Sequence, residues 1–458
     1  MARPDAAADP RIAVREGDMT GFQVVVVTLC ILICALDGFD VLVIAFTAAT
    51  IAHDFGLNPT DLGILFSAGL AGMGLGALFI GPLGDKLGRR ATVLICLAIL
   101  CVGMLASAAA RNLVELALLR LFTGLGIGGV LANINIVVAE YASNRRRNLA
   151  ISLMSLGYPI GATLGGAFSV YLIAAFGWRS VFVFGGLVAL VLVPAVIRFM
   201  PESLDYLIAR RPAGALEKVN AVLARMGRAP IAALPVPSRA EDAPDAGLLS
   251  VFRAPHAART LAVCVAYFCV MMTCYFFLSW TPKVLTEQGL SVSGGISGSM
   301  VMNIGGVVGC LIFGFYARGL GTRRLAAAFM VGLFVAAAAF GMVPATTAAL
   351  LAGTLAIGFC LYASINAMYA VVPQVFPATV RTTATGLAMS VGRLGAVAGP
   401  AAAGILMSAG WSRPAYCLAL GLPMLVAAAS LYWIRAYEAA PAAATGPLMP
   451  PGAAASRK

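Results

Sequence analysis

The chain is 458 residues long, with 61% of them hydrophobic, 11% charged and a formal net charge of +12. Soluble proteins carry about a quarter of their residues as charges, so this composition excludes an ordinary water-soluble enzyme. An excess of positive charge would point to nucleic acid in a soluble protein. Here the basic residues sit in short segments between apolar runs, where they set orientation in a membrane.

In chain order, residues 1–22 read as a polar N-terminal tail with no short apolar stretch and cleavage site of a signal peptide. Twelve apolar runs follow at 23–47, 62–83, 91–110, 113–139, 149–176, 180–200, 260–281, 296–316, 325–343, 347–371, 384–408 and 414–435. Each has roughly the 20 residues needed to cross the hydrocarbon layer as a helix. The predicted fold is an all-α membrane protein of two six-helix bundles, residues 23–200 and 260–437. Residues 201–259 form a polar linker with one surface helix expected near 204–227, and the Ala/Pro/Gly-rich stretch 438–458 reads as a disordered tail. The ten cysteines all lie in apolar runs without metal-site flanks, so they read as packing residues. No metal and no cofactor are expected.

Of the 31 Lys and Arg residues, 25 fall on the side of the tails and linker, with Arg198 counted at the edge of its span. Four (Arg111, Arg179, Lys283 and Arg413) fall on the other side, and Arg120 and Arg393 lie inside spans. By the positive-inside rule both termini are expected in the cytoplasm.

The two bundles are related. A shift of 234 carries Arg147 onto Arg381, Gly161 and Gly165 onto Gly395 and Gly399, and Glu140 onto Gln374. The loop from Gly81 to Arg90 has a degraded copy from Gly314 to Arg324. Two parallel repeats with a long linker are the layout of a transporter that rocks about a site near mid-membrane.

The stretch Gly81-Pro82-Leu83-Gly84-Asp85-Lys86-Leu87-Gly88-Arg89-Arg90 matches the pattern G-x-L-x-D-[RK]-x-G-[RK]-[RK] at every defined position. In this the chain resembles the major facilitator superfamily. Asp37-Gly38-Phe39-Asp40 is similar to the D-G-x-D of the aromatic acid:proton symporters within it, as are Arg120 to Glu140, Gly177 to Phe182, Pro201-Glu202-Ser203 and Pro377 to Gly386. The resemblance covers nearly the whole chain. It implies proton-driven uptake of benzoates or hydroxybenzoates across the inner membrane, with functional positions at Asp37, Asp40, Gly81, Asp85, Gly88, Arg120, Glu140, Arg381 and Arg393. Two departures are Arg318, where the second loop copy usually has an acid, and a fifth span without histidine.

An ionisable residue in hydrocarbon costs roughly 2.5–3.5 kcal/mol on insertion scales, so those inside spans mark candidate sites. Asp37 and Asp40 share a helix face at i, i+3 and lie at the depth of Arg120. With Glu140 at the end of span 4 they form the expected proton-coupling set. Arg120 and Arg393 are expected to hold a carboxylate, Arg393 through a bidentate fork. Asn133, Asn366, Tyr362, Tyr369 and Phe39 complete the expected substrate-binding set, and Tyr267, Tyr275 and Phe276 are further candidates for an aromatic wall. Gly81, Asp85, Gly88, Arg89, Arg90 and Arg381 are assigned to the gate. The glycine pairs in spans read as close helix packing.

The leading expectation is a monomeric proton-coupled importer of a small aromatic carboxylate, in contact with lipid and not with nucleic acid. A porter or exporter of another organic anion or metabolite is the alternative. No catalytic constellation and no phosphate-binding G-x-x-x-x-G-K-[ST] occurs, so neither an enzyme nor an ATP-driven pump is expected.

Overall fold

Twelve helices among the described residues are long and apolar enough to span a membrane. Spans 1–6 are Gly21–Phe55, Pro59–Phe79, Arg89–Ala108, Leu113–Tyr141, Leu149–Phe176 and Arg179–Phe199. Spans 7–12 are Ala257–Glu287, Val292–Ala317, Thr322–Met342, Thr347–Val375, Thr383–Ser408 and Arg413–Trp433. The structure, a computed structural model, describes residues 9–235, 251–252 and 256–433. The tail expected at 438–458 lies outside the described residues.

Span 1 runs well past residue 47, where its apolar run ends. The Thr47 and Thr50 hydroxyls donate back to the carbonyls of Val43 and Thr47, each at 2.8 Å, so they sit in a helix without unpaired polar groups. The helix stops only at Gly56, whose φ of 64° only glycine adopts freely. This extension moves Asp37 from the second half of the span to near its midpoint.

The segments outside the spans differ from expectation in two places. Residues 10–16 are not free tail but a short helix, Pro10–Glu16, with Val14 buried and the Arg15 carbonyl accepting from the Asn144 amide at 2.7 Å. Among its described residues the linker carries two helices near 204–227, Leu204–Arg210 and Ala215–Arg225, instead of one. Arg211 (φ 47°) precedes Pro212, a position where helical backbone is disfavoured, and Gly214 (φ 70°) restarts the chain. Arg11 and Arg15 reach Asp205 at 3.4 and 3.6 Å, tying the N-terminal helix to the first linker helix. These elements share one face of the bundle, called here the linker face.

The repeat is visible in the backbone. Gly56, Gly88 and Gly177 have positive φ, as do Gly289, Gly321 and Gly410, each 233 residues further on. Helix pairing repeats as well. A methyl on Gly161 would lie 1.8 Å from the Ala35 carbonyl oxygen (span 5 on span 1), and one on Gly399 would lie 2.1 Å from that of Met272 (span 11 on span 7). Gly128 meets Met73 across spans 4 and 2, and Gly309 meets Phe359 across spans 8 and 10. The glycines therefore do what their spacing suggested: they let backbones touch. All ten cysteines are unpaired thiols.

The halves close against each other at the face opposite the linker. Thr60 and Ser408 hydroxyls lie 2.8 Å apart, Ser67 donates to the Val397 carbonyl at 2.7 Å, and Phe66 meets Trp280 edge-on at 5.2 Å between ring centroids. Toward the linker face, polar residues inside the spans are exposed: Asn135, Ser155, Gln374 and Ser390.

Candidate substrate and proton site

Asp40 and Arg120 form a closed pair. Nη1 of Arg120 donates to Oδ1 of Asp40 at 3.1 Å and Nη2 to Oδ2 at 3.0 Å, and Nη2 also reaches the Asp40 carbonyl at 3.1 Å. Both residues are buried, and the guanidinium sits 5.9 Å from the Phe182 ring centroid. Arg120, expected to bind substrate, thus has its fork occupied by an acid of its own half. Asp40, expected in the proton set, is the acid that occupies it.

Asp37 is different. It is fully buried, yet neither carboxylate oxygen has a hydrogen-bond partner among the described residues. Its electrostatic neighbours are Asp40 on its own helix and Arg393 of span 11. The i, i+3 offset turns the two acids about 60° apart on the helix, enough for Asp40 to face span 4 while Asp37 faces the other half. Gly38 beside it lets span 5 approach so closely that an added methyl would lie 2.1 Å from the Tyr158 carbonyl oxygen.

Arg393 is ringed by tyrosines. Its Nη1 reaches the Tyr275 hydroxyl at 3.5 Å, and Tyr267 and Tyr369 are also among its electrostatic neighbours. The Tyr267 and Tyr369 rings meet edge-on at 6.3 Å, Tyr267 filling the space left by Gly392. Tyr362 packs over Gly306 and donates to Asn303 Oδ1 at 2.6 Å. Asn366, half-buried on the same helix, shares the face of Tyr362 and Tyr369 by its i+4 and i−3 offsets. Phe276, a candidate for the wall, instead packs on Phe277 and Tyr416 inside its own half. Spans 1 and 5 and their repeats 7 and 11, with spans 8 and 10, thus bring together a carboxylate, a guanidinium and aromatic rings between the halves. Tyr158 and Asn303 belong to this set and were not anticipated.

Three other expected site residues lie elsewhere. Phe39 points away from Asp37, into its own half, where it meets Phe184 edge-on and fills the space above Gly165 and Gly185. An i, i+2 offset puts side chains on opposite sides of a helix, so Phe39 and Asp37 do not line one pocket. Asn133 is buried under the first loop, donating to the Gly81 and Gly129 carbonyls at 3.3 and 2.9 Å and packing against Gly84. It holds the turn, not a ligand. Glu140 lies at the linker face, 3.4 Å from Arg89, which also bonds Asp85 at 3.0 Å and Ser203 at 2.9 Å. Its setting is that of the residues expected at the gate, not of Asp37.

Around that loop, Gly88 (φ 98°) leaves room for Glu202, which accepts from the Arg90 amide at 3.1 Å; Arg90 also donates to the Ile197 carbonyl. Arg210 donates to the Asp85 carbonyl at 3.1 Å, so the loop is stitched to the first linker helix. Arg381, exposed just before span 11, donates to the Phe376 carbonyl at 3.3 Å.

Two pseudo-symmetric membrane bundles, closed at one face and enclosing a charged aromatic site, have the architecture of a membrane transporter. The chain belongs to the Major Facilitator Superfamily, whose family model matches residues 28–366. It is 33% identical to the gallate transporter of Pseudomonas putida over 94% of this chain and 96% of that one. It is 28% identical to the 4-hydroxybenzoate transporter PcaK of Acinetobacter baylyi over 93% and 94%. Among solved structures, the inward open conformation of the xylose transporter XylE from E. coli superposes with a TM-score of 0.73 at 16% identity, covering 90% of this chain and 96% of that one. The protein is a multi-pass membrane transporter related to aromatic acid transporters, and not an enzyme.

Proposed function

We propose that the protein is a proton-coupled symporter that imports small aromatic carboxylates, hydroxybenzoates among them, across the inner membrane by alternating access. The observation that carries this reading is the buried Asp37 carboxylate without a hydrogen-bond donor, facing Arg393 of the opposite half. In a low-dielectric interior such a carboxylate either holds a proton or faces a cation. An arriving substrate carboxylate competes for the same guanidinium through a bidentate contact. Proton and substrate occupancy are then linked: the anion sits on Arg393 when Asp37 carries a proton.

Orientation follows from charge. The linker face carries most of the basic residues and is therefore cytoplasmic, together with both termini. The closed face of the halves is then the outer one, and the site opens inward. The chain works as a monomer without a cofactor, driven by the proton gradient.

Two measurements test this. Purified protein in proteoliposomes is expected to accumulate radiolabelled 4-hydroxybenzoate under an inward proton gradient and to lose that accumulation with a protonophore. Uptake indifferent to the gradient, or dependent on sodium or ATP, overturns the coupling. Alternating access is tested at the closed face, where the Thr60 and Ser408 oxygens lie 2.8 Å apart. Oxidising the Thr60→Cys/Ser408→Cys variant is expected to stop uptake, and reductant to restore it. Unchanged uptake by fully cross-linked protein refutes a cycle in which that face must open.

A further inference from the structure

Tyr158 stands in the site beside Asp37, yet no element of the coupling scheme uses it. Its hydroxyl is out of contact with solvent and has no hydrogen-bond partner among the described residues. Its electrostatic neighbours are Tyr275 and Tyr362 from the opposite half, Asp37 beside it, and Arg393. Of the three tyrosine hydroxyls facing one another here, Tyr275 is engaged by Arg393 at 3.5 Å and Tyr362 by Asn303 at 2.6 Å. That of Tyr158 is left over. Its backbone is wedged against Gly38 and cannot retreat.

A buried hydroxyl without a partner is destabilising, and a ligand group that bonds it recovers the loss. Arg393 claims the carboxylate of an aromatic acid, and the tyrosine rings flank its ring. A hydroxyl on that ring then lies away from Arg393, toward the first half. We propose that Tyr158 is the specificity-determining residue of the site: it bonds a ring hydroxyl of a substrate whose carboxylate is held by Arg393, selecting hydroxylated aromatic acids over unsubstituted ones. This rests on the reading of the site as one for aromatic carboxylates. Because Tyr158 and Arg393 belong to different halves, a hydroxylated acid bridges them, whereas benzoate is held by one half alone. Sites built to bond a substrate hydroxyl reject analogues lacking it strongly, because a buried polar group is then left unpaired.

The test compares uptake of 3- and 4-hydroxybenzoate with that of benzoate, by wild type and by Tyr158→Phe, in proteoliposomes under an inward proton gradient. Wild type is expected to favour at least one hydroxybenzoate by about tenfold or more in kcat/KM. Tyr158→Phe should lose about tenfold on that substrate and much less on benzoate, so that the preference collapses. Equal losses on all three acids, or no preference in wild type, overturn the proposal while leaving aromatic acid transport standing. Wild-type uptake of none of the three overturns both. If Tyr158→Phe does not reach the membrane, Tyr158→His, which keeps a hydrogen-bonding edge, is expected to retain part of the preference, and the wild-type ratio remains decisive.

Discussion

Asp37→Asn should abolish gradient-driven accumulation while leaving substrate binding intact. One proton moving down a difference of one pH unit supplies about 1.4 kcal/mol, enough for about tenfold accumulation of a monoanion carried with it. Asparagine has nearly the shape of a protonated aspartate and cannot release a proton. The site in the variant resembles the proton-loaded form: Arg393 loses the competing carboxylate and remains free for the substrate. Labelled substrate should therefore exchange with substrate inside the vesicles, yet the internal concentration should never exceed the external one. Binding should also become less dependent on pH than in the wild type. Full accumulation by Asp37→Asn would remove Asp37 from the coupling step and leave it as a structural acid beside Arg393.

Much of the fold was legible because a bilayer leaves little choice. A run of about 20 apolar residues must become a helix with its backbone paired internally, so the twelve spans and their pseudo-repeat could be read directly. The differences lie where polarity misleads. Ala48 to Asp54 reads as lying beyond the span, but threonine hydroxyls that bond their own helix carry span 1 on to Phe55. The N-terminal helix is too short to have periodicity of its own, and it is held by contacts to Asn144 and Asp205 that no local pattern announces.

The site was legible in part for a related reason. Charges inside spans stand out against hydrocarbon, so Asp37, Asp40, Arg120 and Arg393 could be found, but sequence gives the depth of a residue and not the way it faces. Glu140 and Asn133 have the right polarity and turn toward the first loop instead. Phe39 lies between two acids, and helical geometry alone would have excluded it from their face. Asn303 carried the same signal as Asn133, an amide inside an apolar span, and went unread. Tyr158 gave no signal, since a single tyrosine in a span is ordinary packing until its hydroxyl is seen without a partner.

Breaking the Asp40–Arg120 pair from either side should cost far more than its exchange for apolar residues. Each partner is buried to within 2% of full coverage, and the two share paired contacts at 3.1 and 3.0 Å. Removing one leaves the other charge unpaired in the interior, which costs about 3–5 kcal/mol, whereas replacing both by apolar groups of similar size is often neutral or better. Asp40→Leu and Arg120→Met are each expected to lower the unfolding midpoint in detergent and the amount of protein in the membrane. The double variant should recover most of both losses. Equal midpoints for wild type and the two single variants would show that the pair does not hold spans 1 and 4 together. A double variant that is stable but transports nothing would move Asp40 from the scaffold into the transport cycle, since a scaffold pair can be exchanged for packing and a pair that must open and close cannot.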